Sequence, residues 1–373
     1  MKSGFFKNID WWIVSALIPL FGLSLATMSS FSDTAGSLFP RQLLWIGISL
    51  AVCFFIASLD LSFIKQSRFL LYVYILGITL LLSVMVFGVT TKGATSWLNF
   101  GAFSFQPSDL IKLVLVLVLA KYLARRHVEI RAMKHLIITG FYFIIPFILI
   151  FLQPDFGSAF ILFCNWFRMI LVAGISKKHL LGLFTIGLAL FMVMWTFVLK
   201  EYQKDRLRTF VDPLSDIQGT GYNAYQSMIA VGSGQFIGKG VGYGTQSRLN
   251  FLPEYETDFI FAAVSEEWGF VGSIIILLLF GVITIRILMI GYRMNGNFGI
   301  LFSVGLSIYI MSHVLINIGM NIGLMPVTGV TLPFMSYGGS HLLVECAALG
   351  ILMGLGGQAR AVYKDDSPDV FLK

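Results

Sequence analysis

Asp258 is the residue with the clearest capacity for chemistry, because it directly precedes a long apolar run that begins at Phe259. A carboxylate at such a boundary can act as a general base towards a hydroxyl group. An acidic residue in front of an apolar helix is also a common N-cap of that helix. The sequence therefore leaves two roles open for Asp258, a catalytic base and a helix cap.

Asp109 and Lys112 form a second charged group, inside a different apolar run. A spacing of three residues places both side chains on one face of a helix. Because charge in lipid is costly, an ion pair of this kind usually faces a cavity within the protein. The alternative is that Lys112 extends its ammonium group to the nearby membrane surface.

Aromatic and basic side chains near these two groups are candidates for ligand binding. Trp97 either stacks on a sugar ring or belongs to the aromatic belt of the membrane interface. The guanidinium groups of Arg206 and Arg208 suit a pyrophosphate, and salt bridges with acidic neighbours are the alternative for them. Lys239 has the same two interpretations.

Polar residues also recur within the apolar runs. His313, Asn317 and Asn321 are spaced four residues apart and share one helix face. Hydrogen bonds between helices are the favoured explanation for them over metal binding. The sequence shows no dedicated set of metal ligands. The Gly-rich stretch 238–244 lacks the strand–turn–helix context of a nucleotide loop.

The elements that position these residues are membrane helices. Hydrophobic residues make up 57% of the 373 residues and charged residues 12%, whereas soluble domains carry about 25% charged residues. Runs of about 20 apolar residues, the length needed to cross a bilayer, occur at Trp11–Phe31, Gln42–Leu59, Phe69–Gly88, Pro107–Ala124, Leu136–Leu152, Gly157–Gly174, His179–Leu199, Phe259–Met289, Phe298–Ile318 and Ser340–Gly356.

The predicted fold is all-α, a polytopic helical bundle of about ten transmembrane helices that forms a single domain over residues 1–373. It has one long loop at 200–258 and a partly broken or re-entrant segment at Gly319–Gly339. Gly269 and Gly272 predict a kink in the eighth run. Lys and Arg gather in the short loops on one side, which predicts cytoplasmic termini and an extracytoplasmic long loop. This topogenic pattern accounts for the net charge of +7 without nucleic acid.

Several distinctive sequence blocks follow one another along the chain: KGATSWL at Lys92–Leu98, QPSD at Gln106–Asp109, QPDFGSA at Gln153–Ala159, GKG at Gly238–Gly240, GTQS at Gly244–Ser247, FLPE at Phe251–Glu254, TDFIF at Thr257–Phe261 and the run Asn317–Ser340. In this order the blocks resemble the SEDS family of cell-wall glycan polymerases. The GTQS and FLPE blocks and the short termini favour the RodA branch of the family over the FtsW branch.

The resemblance implies that the protein polymerises lipid II into β-1,4-linked glycan strands and releases undecaprenyl pyrophosphate, on the outer face of a bacterial cytoplasmic membrane. Asp258 matches the carboxylate that the family requires, as general base. The family also implies a class B penicillin-binding protein and other cell-wall elongation proteins as partners. The implied substrate-binding residues are Lys112, Asp109, Trp97, Arg206, Arg208, Lys239, Gln226, Ser227 and Glu266.

This sequence departs from the family at two places. Asp109 stands where Glu is commoner, and Thr95 and Ser96 stand where basic residues are frequent, so phosphate contacts must come from Lys92 or elsewhere. The sequence requires no cofactor, and a divalent cation, Mg²⁺ or Mn²⁺, could assist the release of pyrophosphate.

Two other functions stay open at this point. A flippase for a lipid-linked precursor would suit a bundle with intramembrane charges and Pro- and Gly-broken segments. Such a transporter should place its critical polar groups near the bilayer midplane. A membrane scaffold for cell-wall enzymes would not need Asp258.

Overall fold

The computed structural model describes residues 8–30, 38–91, 94–99, 101, 104–126, 132–198, 204, 208, 210, 221–249 and 251–365. The helices in these ranges are α1 Trp11–Ser30, α2 Leu38–Ser58, α3 Ser67–Phe87, α4 Pro107–Arg126, α5 Met133–Leu152, α6 Phe156–Ala173, α7 Lys177–Val193, α8 Tyr222–Ser233, α9 Thr245–Arg248, α10 Ile260–Tyr292, α11 Asn297–Asn321 and α12 Gly339–Asp365. A 3₁₀ turn at Ser62–Lys65 precedes α3, and a π-helical turn at Met194–Val198 follows α7.

In the described part of the chain, nine helices are long and apolar enough to cross a membrane: α1, α2, α3, α5, α6, α7, α10, α11 and α12. The tenth, α4, has a similar length but carries Asp109, Lys112 and Lys121. Every residue from Ile111 to Ala120 is buried, because α3, α5, α6, α11 and α12 pack around this helix. The prediction of an all-α membrane bundle with about ten spans is confirmed.

Among the described helices, α2 and α12 make the most extensive pairing. A side chain on Gly350 would come within 2.6 Å of the Cys53 carbonyl oxygen, and one on Gly354 within 2.6 Å of Leu61 Cδ1. Small residues one turn apart let helix backbones approach closely in membranes. These two glycines therefore allow α12 to lie along α2.

Gly269 breaks α10, as the sequence predicts. Its backbone angles, φ 65° and ψ −159°, lie outside the helical region, and glycine adopts them without a steric penalty. The break releases the amides of Phe270 and Val271, which donate to the carbonyls of Gln235 (2.9 Å) and Phe236 (3.2 Å). The kink thus attaches the segment that follows α8 to α10.

The segment between α3 and α4, predicted as a loop, contains a small antiparallel sheet. Strands β1 Val89–Thr91, β2 Ala94–Asn99 and β3 Ser104–Phe105 lie in that order. Val89 is opposite Trp97, and Leu98 is opposite Phe105. The Thr95 amide donates to the Gln153 carbonyl at 3.2 Å. The sheet therefore lies against the turn between α5 and α6.

Residues 322–338, which we call the broken segment, connect α11 to α12 without regular helix. Val330, Leu332 and Phe334 in this segment are buried. The Asn317 amide group donates to the Val330 carbonyl at 2.7 Å, and the Leu332 amide donates to Ser336 Oγ at 2.8 Å. Irregular backbone at membrane depth requires such protein partners, and the prediction of a broken segment here is confirmed.

Candidate active site

Asp258 lies directly before α10, whose N-cap position is occupied by Phe259. The N-cap role considered for Asp258 from the sequence is therefore wrong. Its backbone carbonyl accepts two hydrogen bonds, from Asn317 Nδ2 at 2.9 Å and from Asn321 Nδ2 at 3.1 Å. Asn321 Oδ1 also accepts from the Ala262 amide of α10 at 3.1 Å, which confirms the predicted hydrogen bonding between helices on this face of α11. The same face holds the backbone of the candidate base.

The Asp258 side chain is half-buried and points towards Gly329 of the broken segment. A methyl group on Gly329 would lie 3.5 Å from Asp258 Oδ2, and Gly329 itself is exposed. Glycine at this position leaves space beside the carboxylate. The carboxylate therefore lies at an open boundary and is not enclosed in the core.

Neighbouring residues tie this part of the chain to the broken segment. Ser336 Oγ donates to the Thr257 carbonyl at 2.5 Å, and the Tyr337 amide donates to the Glu256 carbonyl at 2.7 Å. Thr257 Oγ1 also donates to Glu254 Oε2 at 3.0 Å. The first two bonds hold the backbone on the N-terminal side of Asp258 against the broken segment, and the third joins two side chains of the same turn.

Asp109 and Lys112 form a buried ion pair, with Lys112 Nζ 2.8 Å from Asp109 Oδ1. Each residue is 2% exposed, so extension of Lys112 to the membrane surface is wrong and the predicted internal pair is confirmed. His341 Nδ1 lies 3.4 Å from Asp109 Oδ1, and His341 Nε2 lies 2.8 Å from Glu345 Oε1. We call these four residues the buried charge cluster.

Polar side chains connect the buried charge cluster to the start of α4 and α6. Gln106 Nε2 donates to Asp155 Oδ2 at 3.1 Å, and Asp155 caps α6 by accepting from the Ser158 amide at 3.0 Å. Ser158 Oγ lies 3.5 Å from Lys112 Nζ and 3.4 Å from Ser108 Oγ. Two sequence blocks that are separated along the chain, QPSD and QPDFGSA, therefore form one site.

The broken segment contacts both the Asp258 region and the buried charge cluster. Its Phe334 amide donates to Glu345 Oε2 at 2.9 Å, and its Thr331 carbonyl lies 3.3 Å from His313 Nδ1. The ring centroids of His313 and His341 are 4.9 Å apart. His313 precedes Asn317 by one turn of α11, about 6 Å along the axis. The Asp258 region and the buried charge cluster are therefore neighbours at the same end of the bundle, about one helical turn apart.

Glu266 and Lys239 make a different arrangement. Glu266 is fully buried and accepts from Lys239 Nζ at 2.7 Å, from Thr245 Oγ1 at 3.1 Å and from the Gln246 amide at 3.1 Å. Glu267 accepts from the Gly242 amide at 2.8 Å. These contacts fasten the GKG and GTQS blocks to α10. Lys239 had two possible roles, a pyrophosphate contact and an ion pair, and in this structure it forms an ion pair with Glu266.

The remaining predicted site residues are placed separately. Ser227 on α8 is buried, and its Oγ donates to the Asn321 carbonyl at 2.9 Å. Gln226 beside it is half-buried, as is Trp97 on β2. Arg208 is exposed, and Arg206 lies outside the described residues.

Sequence reasoning did not single out His341, although its spacing of four residues from Glu345 was an available indication of a shared helix face. Within the described ranges, no group of three or more His, Cys, Asp or Glu side chains is arranged to hold a metal ion. A divalent cation therefore stays a prediction.

Comparison with known proteins gives this geometry its context. The FtsW, RodA and SpoVE family of cell cycle proteins matches residues 5–361. The chain belongs to this family. The resemblance inferred from the sequence blocks is confirmed, and the matched range contains Asp258, the buried charge cluster and the broken segment.

Individual relatives match over most of their length. The peptidoglycan glycosyltransferase MrdB of Escherichia coli K12 is 40% identical over 294 residues, which cover 79% of each chain. The crystal structure of the rod shape determining protein RodA of Thermus thermophilus matches with a TM-score of 0.69 and 28% identity, over 93% of this chain and 96% of that one. A chain from a peptidoglycan synthase complex, described as coordinating polymerization and crosslinking, matches with a TM-score of 0.82 and 29% identity, over 94% and 98%.

Proposed function

We propose that this protein is a peptidoglycan glycosyltransferase of the RodA type, which polymerises lipid II into β-1,4-linked glycan strands for cell-wall elongation. The likeness to MrdB and to the T. thermophilus RodA structure supports this assignment. The structural observation that carries it is the half-buried carboxylate of Asp258, beside exposed Gly329 and on a backbone held by two asparagines.

In the reaction we propose, the 4-hydroxyl of an incoming lipid II attacks the anomeric carbon of the growing glycan. The bond from that carbon to the undecaprenyl pyrophosphate breaks, the configuration inverts, and the hydroxyl proton passes to the Asp258 carboxylate. Pyrophosphate leaves readily as an anion, so a general acid is not needed. One carboxylate then suffices, unlike the pair that most glycosidases use.

The other candidate residues would support this step in two ways. Arg206 and Arg208 bind the pyrophosphate through their guanidinium groups, and Trp97 stacks on a sugar. Asp109 and Lys112 organise the site from beneath the broken segment, since both are buried and paired in this structure. Glu266, Lys239, Gln226 and Ser227 hold or line the segments between α8 and α10 that cover the substrate.

The basic residues of the short loops support an orientation with cytoplasmic termini, and with Asp258 at the outer face of the bacterial cytoplasmic membrane. The synthase complex that resembles this chain combines polymerization with crosslinking. We therefore propose a class B penicillin-binding protein, a transpeptidase, as partner.

A lipid II flippase is the second candidate, and the buried charge cluster is the observation that favours it. Ionisable groups inside a bundle often mark a substrate or proton path in transporters. Asp258 lies at one end of α10, at a partly exposed position, which is better suited to chemistry at the membrane boundary than to passage across the membrane.

The test is polymerisation of purified lipid II by the purified full-length protein with its transpeptidase partner. Asp258→Asn should lower the rate at least about 100-fold, the usual contribution of a general base. Glu256→Gln, which alters a neighbouring carboxylate, should keep the wild-type rate. Full polymer yield from Asp258→Asn would remove the base role. Wild-type protein that moves lipid II across a liposome membrane without forming polymer would favour the flippase. Wild-type protein that shows neither polymerisation nor lipid II movement would favour a scaffold.

A further inference from the structure

A cavity of about 200 Å³ lies between α3, α4 and α5, at the end of α4 opposite to Asp109. Lys121 and Arg125 of α4 line it. Arg125 follows Asp109 by sixteen residues, about 24 Å along a helix. The cavity is therefore separate from the candidate active site, and the proposed polymerase chemistry does not use it.

The polar wall of this cavity is positively charged. Lys121 and Arg125 are one turn apart and share a helix face. The lining residues, all within the described ranges, include no acidic side chain. Lys121 Nζ lies 5.8 Å from the centroid of the Phe298 ring, at the distance of a cation–π contact. Two cations lining one cavity with no carboxylate among them favour an anionic ligand.

Tyrosines give the cavity a defined shape. Tyr74 OH donates to the Tyr142 carbonyl at 3.0 Å, and Tyr122 OH lies 2.8 Å from His135 Nδ1. The rings of Tyr74 and Tyr142 meet edge to face at 5.6 Å. These contacts join α3, α4 and α5 around the cavity, so its walls are supported on three sides.

The opposite side of the cavity is apolar and faces the lipid. Leu71 lines it and is 49% exposed, and the adjacent Tyr72 on α3 is 68% exposed. The volume suits a headgroup better than a whole lipid, so the acyl chains would lie outside along α3. We propose that this cavity binds the phosphate headgroup of an anionic phospholipid in the leaflet at this end of the bundle. Basic pockets between membrane helices are known binding sites for such headgroups.

The test is a titration of the purified full-length protein with dioleoyl-phosphatidylglycerol, followed by native mass spectrometry, with dioleoyl-phosphatidylcholine as the neutral comparison. The wild-type protein should prefer phosphatidylglycerol. Lys121→Gln combined with Arg125→Gln should weaken phosphatidylglycerol binding roughly 25-fold, the product of about fivefold for each basic residue near an anionic lipid. Lys177→Gln combined with Lys178→Gln removes two exposed charges at the start of α7, away from the cavity, and should leave binding unchanged.

A second variant keeps the charges and removes the space. Ser67→Trp places a large ring at the cavity wall and should weaken phosphatidylglycerol binding at least about tenfold, because headgroup and ring compete for one volume. The proposal would be overturned if the charge variant and Ser67→Trp both bound phosphatidylglycerol as tightly as the wild-type protein. Equal binding of inorganic phosphate in the same titration would identify a soluble anion as the ligand and overturn the lipid assignment.

Discussion

Asp258 and Asp109 are two acidic residues at the same end of the bundle, but different parts of each residue make the contacts that hold it in place. The hydrogen bonds from α11 to Asp258 act on its backbone, and its carboxylate is half-buried beside glycine. Asp109 is held through its carboxylate, which is paired with Lys112 and close to His341. The contacts from α11 therefore position the backbone of Asp258, whereas Asp109 is positioned through its side-chain oxygens.

The largest expected effect comes from breaking the Asp109–Lys112 pair. Lys112→Met leaves the Asp109 charge buried, so we expect a loss of about 3–5 kcal/mol in the free energy of unfolding. The double variant Lys112→Met with Asp109→Leu should recover most of that loss, because an apolar pair replaces a buried ion pair. Unfolding of the purified proteins measures this.

The polymerisation rate of the same double variant tests whether the Asp109–Lys112 pair also serves the active site. If the pair organises the site, the double variant should be stable and still polymerise lipid II poorly. A stable double variant with the wild-type rate would restrict Asp109 and Lys112 to a role in folding.

The next effect concerns the asparagine that positions Asp258. Asn321→Ala removes one of the two hydrogen bonds to the Asp258 carbonyl, and we expect kcat to fall about tenfold with KM unchanged, because a displaced base reacts poorly. Ser312→Ala is the matched control on α11, since it removes a partly buried hydrogen bond from Arg168 at 2.8 Å instead. An equal fall in kcat for both variants would indicate a general loss of stability.

The smallest effect tests the space beside the Asp258 carboxylate. Gly329→Ala places a methyl group 3.5 Å from Oδ2 at a residue with φ +70°, which strains the backbone by about 1–2 kcal/mol. We expect a few-fold rise in KM for lipid II. Gly323→Ala has a similar backbone angle, φ +76°, but its side chain would meet Met228. Kinetic assays in which both variants raise KM equally would contradict a substrate position beside Gly329.

Most of the architecture was predictable because local sequence determines it. An apolar run of about 20 residues must satisfy its backbone internally when it crosses lipid, and only a helix does so within one segment. The break at Gly269 followed from the same local logic, because glycine alone adopts its backbone angles freely. The strands between α3 and α4 were missed, since short strands take their identity from pairing and carry little sequence pattern of their own.

For the residues of the candidate site, too, local relations were predictable and contacts between distant elements were not. The sequence alone determined that Asp109 and Lys112 share a helix face and that Asp258 stands at the start of α10, because both facts depend on neighbours within a few residues. Only the tertiary structure decided that His341 and Glu345 join Asp109, and that Lys239 pairs with Glu266. Those partners come from different elements, and how helices rotate and pack against each other depends on the whole bundle rather than on any one segment.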